Sequence, residues 1–500
     1  MGDFPSEMSL KESEVNIVSS YILTLKLDTE GFQEDILSAR LEIGRKIYNS
    51  CLAELYKRYN HMRESKQYKK ISKLSRGKDR NKQFNELNNK YGLTEYSLHN
   101  FVKPIQKHFK DNRDSFSAQK IATRCFGAIQ KLMFHIADKV QFKKYGEMDS
   151  VEGKSNKTGI RFKNDKLVWN RLEIDIIIKK IDTYAQKAIQ DRVKYCRIVR
   201  KMIRGEYKYY LQLIMEGLPP VKTDKETGEL KRNIGLGNVG LDIGTRTIAI
   251  SSKNDVKLLE LCPEVENIQK KKNILQRKLD RQRRANNSSN FNEDRTIKCG
   301  IKLSWIKSKK YLRTQNELSD IQRKQASIRK QAHEKLANFI ICLGDRVLVE
   351  TMQFAALQKR SKKTTINTKN GKFNKKKRFG KSLANKAPSM LIEIINRKLK
   401  YYGMEILKIN TQKVKASQYS HFTGEYNKKE LKERWNEDVQ IQRDCYSAFL
   451  IMNVENNLEL INRELCNKTY DNFKKLHDVE INRLKEMKIS GINLISSMGF

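Results

Sequence analysis

The sequence predicts a multidomain α/β protein: a β-rich N-terminal module interrupted by helices, a polar linker, and then a mixed α/β domain. Three observations predict it. Strand-like runs open the chain and return after residue 141, with helical spacing between them. Leu218-Pro219-Pro220 and the polar stretch 224–235 break the chain near its middle. Beyond that break, short hydrophobic runs alternate with long helical ones.

Residues 16–27 are rich in β-branched and aromatic side chains and read as a strand. Between 32 and 64 the apolar residues, among them Ile36, Leu41, Ile47, Leu52 and Leu55, recur at helical spacing. A second helical region covers 98–142, through Phe101, Ile105, Ile121, Ile129 and Ile136. The polar, basic stretch 67–90 between them reads as a mobile connection. From 141 to 215 short strands are expected at 159–162, 166–169 and 172–178, a helix near 183–190, and a hairpin of 197–203 with 207–216 turning at Gly205. The divisions that follow are a first part of the β module at 1–30, a helical lobe at 31–140, the rest of the β module at 141–222, a linker at 223–235, an α/β domain at 236–455 and a helical tail at 456–500 to which no role is assigned.

Charge narrows the function classes. The chain has 500 residues, 38% of them hydrophobic, and carries 101 Lys and Arg against 58 Asp and Glu, a formal charge of +43. The basic residues run along the whole length, which points to a nucleic-acid polyanion as partner. The longest apolar stretch, 336–348, is broken by Asn338, Gly344, Asp345 and Arg346, so no membrane span is expected. The acidic N-terminus lacks the layout of a signal peptide. No two of the eight cysteines lie within five residues of each other, which gives neither a CxxC zinc knuckle nor a disulfide framework. A reducing bacterial cytoplasm, with the protein held on the nucleoid by nucleic acid, is the expected location.

The chemistry is concentrated after the linker. From Asn238 to Ile250 the residues alternate as a strand does, with Val239, Leu241 and Ile243 on one face and Gly240, Asp242 and Gly244 on the other. A carboxylate flanked by glycines leaves open space above the strand for metal ions and a phosphodiester. Strands at 247–252 and 256–261 follow, and three consecutive strands led by an Asp begin an RNase H-like sheet. Sugar-kinase and actin-like folds open similarly, so this motif alone leaves them in play. Glu350 ends the hydrophobic run 346–350, after a long helix. Asp444 opens a helix over 440–453, in which Ser447 and Ala448 make a slim face able to lie close on a sheet. Taken singly, a strand-end Glu facing solvent and a first-turn Asp on a helix dipole are ordinary features. In the order strand Asp, strand Glu, helix Asp they match the RuvC branch of the RNase H superfamily. Three carboxylates suit two magnesium ions about 3.5–4 Å apart, with manganese able to substitute.

The segments GLDIGTRTIAI, VLVETMQF, ASQYSHFTG and QRDCYSAFLIMN, with RIVRKMIRGEYKYYLQLIMEGLPP upstream, resemble the TnpB family of transposon-encoded RNA-guided nucleases, relatives of the miniature type V CRISPR effectors. The resemblance spans roughly 16–455. It implies an N-terminal β-barrel wedge with an inserted helical recognition lobe, a RuvC-like domain with Asp242, Glu350 and Asp444 as metal-binding catalytic residues, a guide RNA, and double-stranded target DNA cut beside a short flanking motif. Members usually carry a four-cysteine zinc ribbon before the last Asp. Here 413–437 contains no cysteine and only His421. No zinc is therefore expected, and the aromatics Tyr419, Phe422, Tyr426 and Trp435 are expected to staple the segment instead.

Two basic regions are candidate nucleic-acid contacts. A helical hairpin inserted at 264–338 carries Lys270, Lys271, Lys272, Arg277, Arg281 and Arg284, and its second helix is expected to bury Leu312, Leu318, Ile321, Ile328, Ala332 and Leu336. The basic loop 358–386 holds twelve Lys or Arg and no acid, including Lys375, Lys376, Lys377 and Arg378, with Phe373 and Phe379 available to stack on bases. A solvated charged face is the rival reading of each lysine. The expected function is RNA-guided DNA cleavage. The alternatives are an RNA-guided DNA-binding regulator that does not cut, and a protein-only RuvC-like recombinase or resolvase.

Overall fold

Strict alternation shapes the first strand, β1 (Ser20–Leu27): Tyr21, Leu23, Leu25 and Leu27 are buried and the residues between them face outward. The computed structural model describes residues 20–221, 233–294, 296–361, 364–368, 370–371, 374, 376, 379–428, 430, 433–436 and 439–500. The expected strand residues 16–19 and linker residues 223–232 lie outside these. The chain divides into two units, Met1–Val221 and Lys222–Phe500.

In the first unit the chain leaves β1 for α1 (Gly31–Glu64), where Gln33 accepts the Glu30 N–H at 3.0 Å and so caps the helix. Helices α2 (Lys66–Ser72), α3 (Lys78–Lys90), α4 (Glu95–His108) and α5 (Ser115–Met133) follow. Then come β2 (Ser150–Glu152), β3 (Arg161–Lys163), β4 (Lys166–Trp169), β5 (Leu172–Ile177), α6 (Thr183–Ala188), β6 (Val193–Ile203) and β7 (Glu206–Glu216). The strands are antiparallel in the order β2-β6-β7-β1-β5-β4-β3. Helices α1 to α5 are thus an insertion between β1 and β2, strands that the sheet separates by β7 and β6. The β6–β7 hairpin turns on Arg204 and Gly205, both with positive φ, as a two-residue turn requires.

The structure corrects two expectations in this unit. The stretch 67–90 is helical, not a loose connection. Of its few apolar residues Ile71 and Leu87 are buried, Leu74 in the break between the two helices is exposed, and Tyr68 meets Phe84 edge-on at 5.7 Å. The helix expected to reach 142 ends at Met133, and Phe134 and Ile136 stand exposed beyond it.

The second unit opens with β8 (Asn238–Ile243), β9 (Thr247–Ser252) and β10 (Val256–Glu260), joined as antiparallel neighbours. Helices α7 (Val265–Asn286) and α8 (Lys309–Leu343) form a hairpin, and α8 leads into β11 (Arg346–Glu350). After α9 (Phe354–Leu357), α10 (Gly380–Lys386) and α11 (Pro388–Lys400) comes β12 (Leu407–Ile409), then α12 (Thr411–Val414), β13 (Trp435–Asn436) and β14 (Ile441–Gln442). Then follow α13 (Arg443–Met452), α14 (Arg463–Ile489) and a short 3-10 turn at Ser496–Met498. The sheet order is β10-β9-β8-β11-β12, with β11 parallel to both β8 and β12.

This sheet has a core on each face. Val239, Leu241, Ile243, Ile248 and Ile250 pack with Ala337 and Ile340 of α8 and Leu391 and Ile395 of α11. Ala249, Val256, Leu258, Leu348 and Ile409 pack with Phe449 of α13 and Phe473 of α14. The odd and even residues of β8 therefore face different helical layers, as pleating dictates.

The buried line of α8 differs from the expected one. It is Thr314, Ile321, Gln325, His333, Ala337, Ile340 and Ile341, whereas Leu312 is exposed. The cause is a polar hairpin seam: Gln325 Nε2 donates to Gln269 Oε1 at 3.2 Å, and Lys272 Nζ to Gln325 Oε1 at 3.0 Å. Amides that satisfy each other can be buried, so apolar periodicity alone misplaces the face.

Candidate active site

Asp242 and Glu350 meet because their strands are parallel neighbours. The register pairs Leu241 with Val349, so the next residues, Asp242 and Glu350, lie side by side at the C-terminal ends of β8 and β11. Asp444 arrives from the layer above. Met452 O accepts the Asn238 side-chain N–H at 3.0 Å, and a Cβ placed on Gly240 would lie 2.0 Å from Ala448 O. Thus α13 runs antiparallel over β8, and each helical turn of four residues, about 6 Å, spans about two strand residues. The sequence of facing pairs is Asn238 with Met452, Gly240 with Ala448, and then Asp242 with Asp444.

Gly240 differs from its expected role. The space above it is not open for metal or substrate. It is filled by the backbone of α13, and only a residue without Cβ allows that approach. Ser447 and Ala448, both buried, form the slim helix face that the approach also needs.

The electrostatics follow from the crowding. Burial, and then the negative charges of Asp444 and Glu350, hold the Asp242 carboxyl well above the usual carboxylate range. Burial likewise raises Glu350. It raises Asp444 too, against the opposing pull of Arg434 and Arg443. Arg434 Nη1 stands 3.8 Å from Asp444 Oδ1, and the Asp444 side chain keeps 20% of its accessible surface. Among the described residues, no three Asp, Glu, His or Cys side chains are closed around one point as a formed metal cluster. The donor set nevertheless fits a hard divalent cation: the three carboxylates are anionic oxygen donors, half-buried, each made costly by burial.

The elements that hold Asp444 in place were not foreseen from sequence. Gln442 is the N-cap of α13; its Oε1 accepts the Cys445 N–H at 2.8 Å, and its Nε2 donates to Met498 O at 3.4 Å. Helix α14, in the tail left without a role, packs on β10 and α13, and its buried Glu480 accepts the Leu258 N–H of edge strand β10 at 2.9 Å. The expected aromatics do pack. Tyr419 lies 4.9 Å from Tyr426, Phe422 meets Tyr470, and Trp435 meets Phe500 and donates to Gly499 O at 3.0 Å. His421 is buried among them, its Nδ1 2.6 Å from Tyr446 Oη, and burial lowers its pKa to about 4.

The candidate basic residues divide. Lys270, Lys271, Arg277 and Arg281 are exposed on α7, with Lys271 3.8 Å from Glu317. Lys272 turns into the hairpin seam, and Arg284 pairs with Asp280 at 2.8 Å and covers the Phe291 ring. Lys376 is half-buried, with its carbonyl accepting the Ser361 N–H. Lys375, Lys377, Arg378 and Phe373 lie outside the described residues, and Phe379 is exposed.

No protein-family profile and no curated protein matches the chain. Among solved structures it is similar to a cryo-EM structure of a Cas12f1–sgRNA–target DNA complex, with TM-score 0.39 and 11% identity over 86% of this chain and 98% of that one. It is also similar to a cryo-EM structure of a CRISPR-Cas12f ternary complex, with TM-score 0.27 and 14% identity over 84% and 82%. No described helix is long and apolar enough to cross a membrane.

Proposed function

We propose that the chain is a divalent-metal-dependent DNA endonuclease of RuvC type, guided by RNA to double-stranded DNA beside a short flanking motif. The observation that carries the nuclease reading is the meeting of Asp242, Glu350 and Asp444, brought by two strands and a helix to one end of a sheet in the order β10-β9-β8-β11-β12. Three like charges gathered at a half-buried site destabilise the fold unless a cation answers them, and a protein keeps such a cluster for chemistry. Reading the unit as an RNase H-like domain follows from that order and from the antiparallel β8–β10 opening. The guide RNA and the wedge and recognition roles of the first unit rest on the sequence resemblance and on the charge of +43.

Asp242, Glu350 and Asp444 would hold magnesium or manganese, which, when bound, lowers the pKa of a water and stabilises the leaving 3′ oxygen. The chain's own residues supply the rest. Asp242 and Glu350, fixed on neighbouring strands, set one side of the site. Asp444 closes it from above, with a position as firm as the seating of α13 on Gly240. Arg434 and Arg443 lower the cost of keeping the trio ionised. Exposed Lys270, Arg277 and Arg281 on α7 offer phosphate contacts within the same unit.

The test is cleavage of a guide-matched plasmid in magnesium beside a gel shift on the same target. Asp242→Ala is expected to abolish cutting and preserve binding. Normal cutting by Asp242→Ala would falsify the nuclease reading. A small RNA recovered with the purified protein supports the guided reading over a protein-only resolvase.

A further inference from the structure

We infer that His477, in the C-terminal helix and far from the trio in sequence, is a positioning residue for Asp444, acting through the main chain of Gln442. The inference rests on the metal-nuclease reading above and assigns a task to α14.

The backbone N–H of Gln442 donates to His477 Nε2 at 3.1 Å. A main-chain N–H can only donate, so Nε2 must be the ring's acceptor, and the hydrogen of the neutral imidazole sits on Nδ1. Nδ1 lies 2.9 Å from Asp478 Oδ1, a carboxylate that accepts that hydrogen and selects this tautomer. Asp478 is held in turn by Lys474, whose Nζ is 2.5 and 2.7 Å from its two oxygens. The chain of contacts thus runs from Lys474 to Asp478, to His477, to the Gln442 N–H.

Gln442 is the last residue before α13. Its side chain caps the Cys445 N–H and donates to Met498 O, while its main chain is pinned by His477. Gln442 has 0% of its surface exposed and His477 1%, so no water can replace either bond. The start of α13 is fixed from two sides by residues C-terminal to the trio, and Asp444 is the second residue of that helix. Trp435 and Phe473 wall the imidazole at 6.3 and 5.8 Å between ring centres, which prevents the ring from turning away.

An ordinary core histidine would also be buried. What distinguishes His477 is the direction of its bond: the acceptor is aimed at the one main-chain N–H that precedes the metal-binding helix. Partners that orient metal ligands typically contribute about 10–100-fold to metal affinity.

The test uses the full chain with manganese alone as probe, its affinity read by paramagnetic resonance, together with thermal unfolding and plasmid cleavage. His477→Leu removes the acceptor and is expected to weaken manganese binding about 10-fold. His477→Gln can accept through Oε1 and is expected to recover affinity to within about threefold of the unaltered chain. Asp478→Ala, at a half-exposed position that tolerates truncation, frees the tautomer and is expected to weaken the metal severalfold with little change in melting temperature. It serves if His477→Leu does not fold. Unchanged manganese affinity in folded His477→Leu or in Asp478→Ala overturns the inference. So does equal weakening by His477→Leu and His477→Gln. Asp444→Asn is the control: if it leaves both affinity and cleavage intact, the nuclease reading fails first.

Discussion

Gly240→Ala puts the architecture of the site under the sharpest test. An added Cβ would lie 2.0 Å from Ala448 O, 2.4 Å from Met452 N and 2.9 Å from Met452 Cα, all of them main-chain atoms. A carbon approaches a carbonyl oxygen comfortably at about 3.3 Å, so α13 must retreat by roughly 1.3 Å. Forcing such a retreat in a packed core costs about 1–3 kcal/mol. Asp444 moves with the helix, one turn from the contact, and misplacement by about 1 Å costs on the order of 10²-fold in rate. The expected outcome is a folded protein with a lower melting temperature, guide-matched cleavage reduced about 100-fold and target binding retained. Scanning calorimetry, gel shift and plasmid cleavage measure the three quantities. At Gly244 the nearest atoms to an added Cβ are 3.4 Å away, so Gly244→Ala should melt close to the unaltered protein. If Gly240→Ala melts and cuts normally, α13 does not lie against β8 at this position, and the placement of Asp444 falls with it.

Further outcomes are expected. Glu350→Gln and Asp444→Asn should each lose cleavage with binding kept, and combining them should add little because the trio acts as one unit; additive losses in a plasmid assay argue otherwise. In EDTA, the raised carboxyls have a definite sign. A carboxyl whose folded pKa lies above its unfolded value contributes stability at low pH, and that stability is lost as pH rises through the folded pKa. Asp242→Asn should therefore raise the melting temperature of the metal-free protein at neutral pH by a few degrees (about 2–4 °C per kcal/mol) and flatten its decline as pH rises above the ordinary carboxylate range. A lower melting temperature counts against the cluster. Replacing Lys270, Arg277 and Arg281 with Gln should reduce the log–log salt slope of duplex binding by about 0.9 for each phosphate that is no longer neutralised; an unchanged slope marks a solvated face. Elemental analysis after dialysis should find no stoichiometric zinc, and about one zinc per chain would contradict the aromatic staple.

The strand alternation that separates Val239, Leu241 and Ile243 from Gly240 and Asp242 was legible from residue types alone, because pleating leaves no other arrangement. The slim face of Ser447 and Ala448 was legible for a similar reason. The seam between α7 and α8 was not, since Gln269 and Gln325 look like solvent-facing residues until their amides are seen to pair. Helices α2 and α3 escaped because Ile71, Phe84 and Leu87 are outnumbered by charge in any window. The purpose of α14 was hidden more deeply. The bonds from His477 to Gln442 and from Glu480 to Leu258 join residues 35 and 222 positions apart, and no local pattern records such pairs.

That placement of α14 also has a consequence for the order in which the protein is made. Ribosomes add about 5–20 residues per second and release the chain from its N-terminus, so every carboxylate of the trio is synthesised before the helix that braces it. Until Glu480 emerges, the Leu258 N–H on the edge of β10 has no carboxylate to cover it. Until His477 emerges, the start of α13 lacks one of its two restraints. A nascent chain paused before residue 463 would thus hold all three acids, an open sheet edge and a helix α13 lacking one of its restraints. The start of α13 is braced only once α14 docks, so the seating of Asp444 is among the last features of this unit to be fixed.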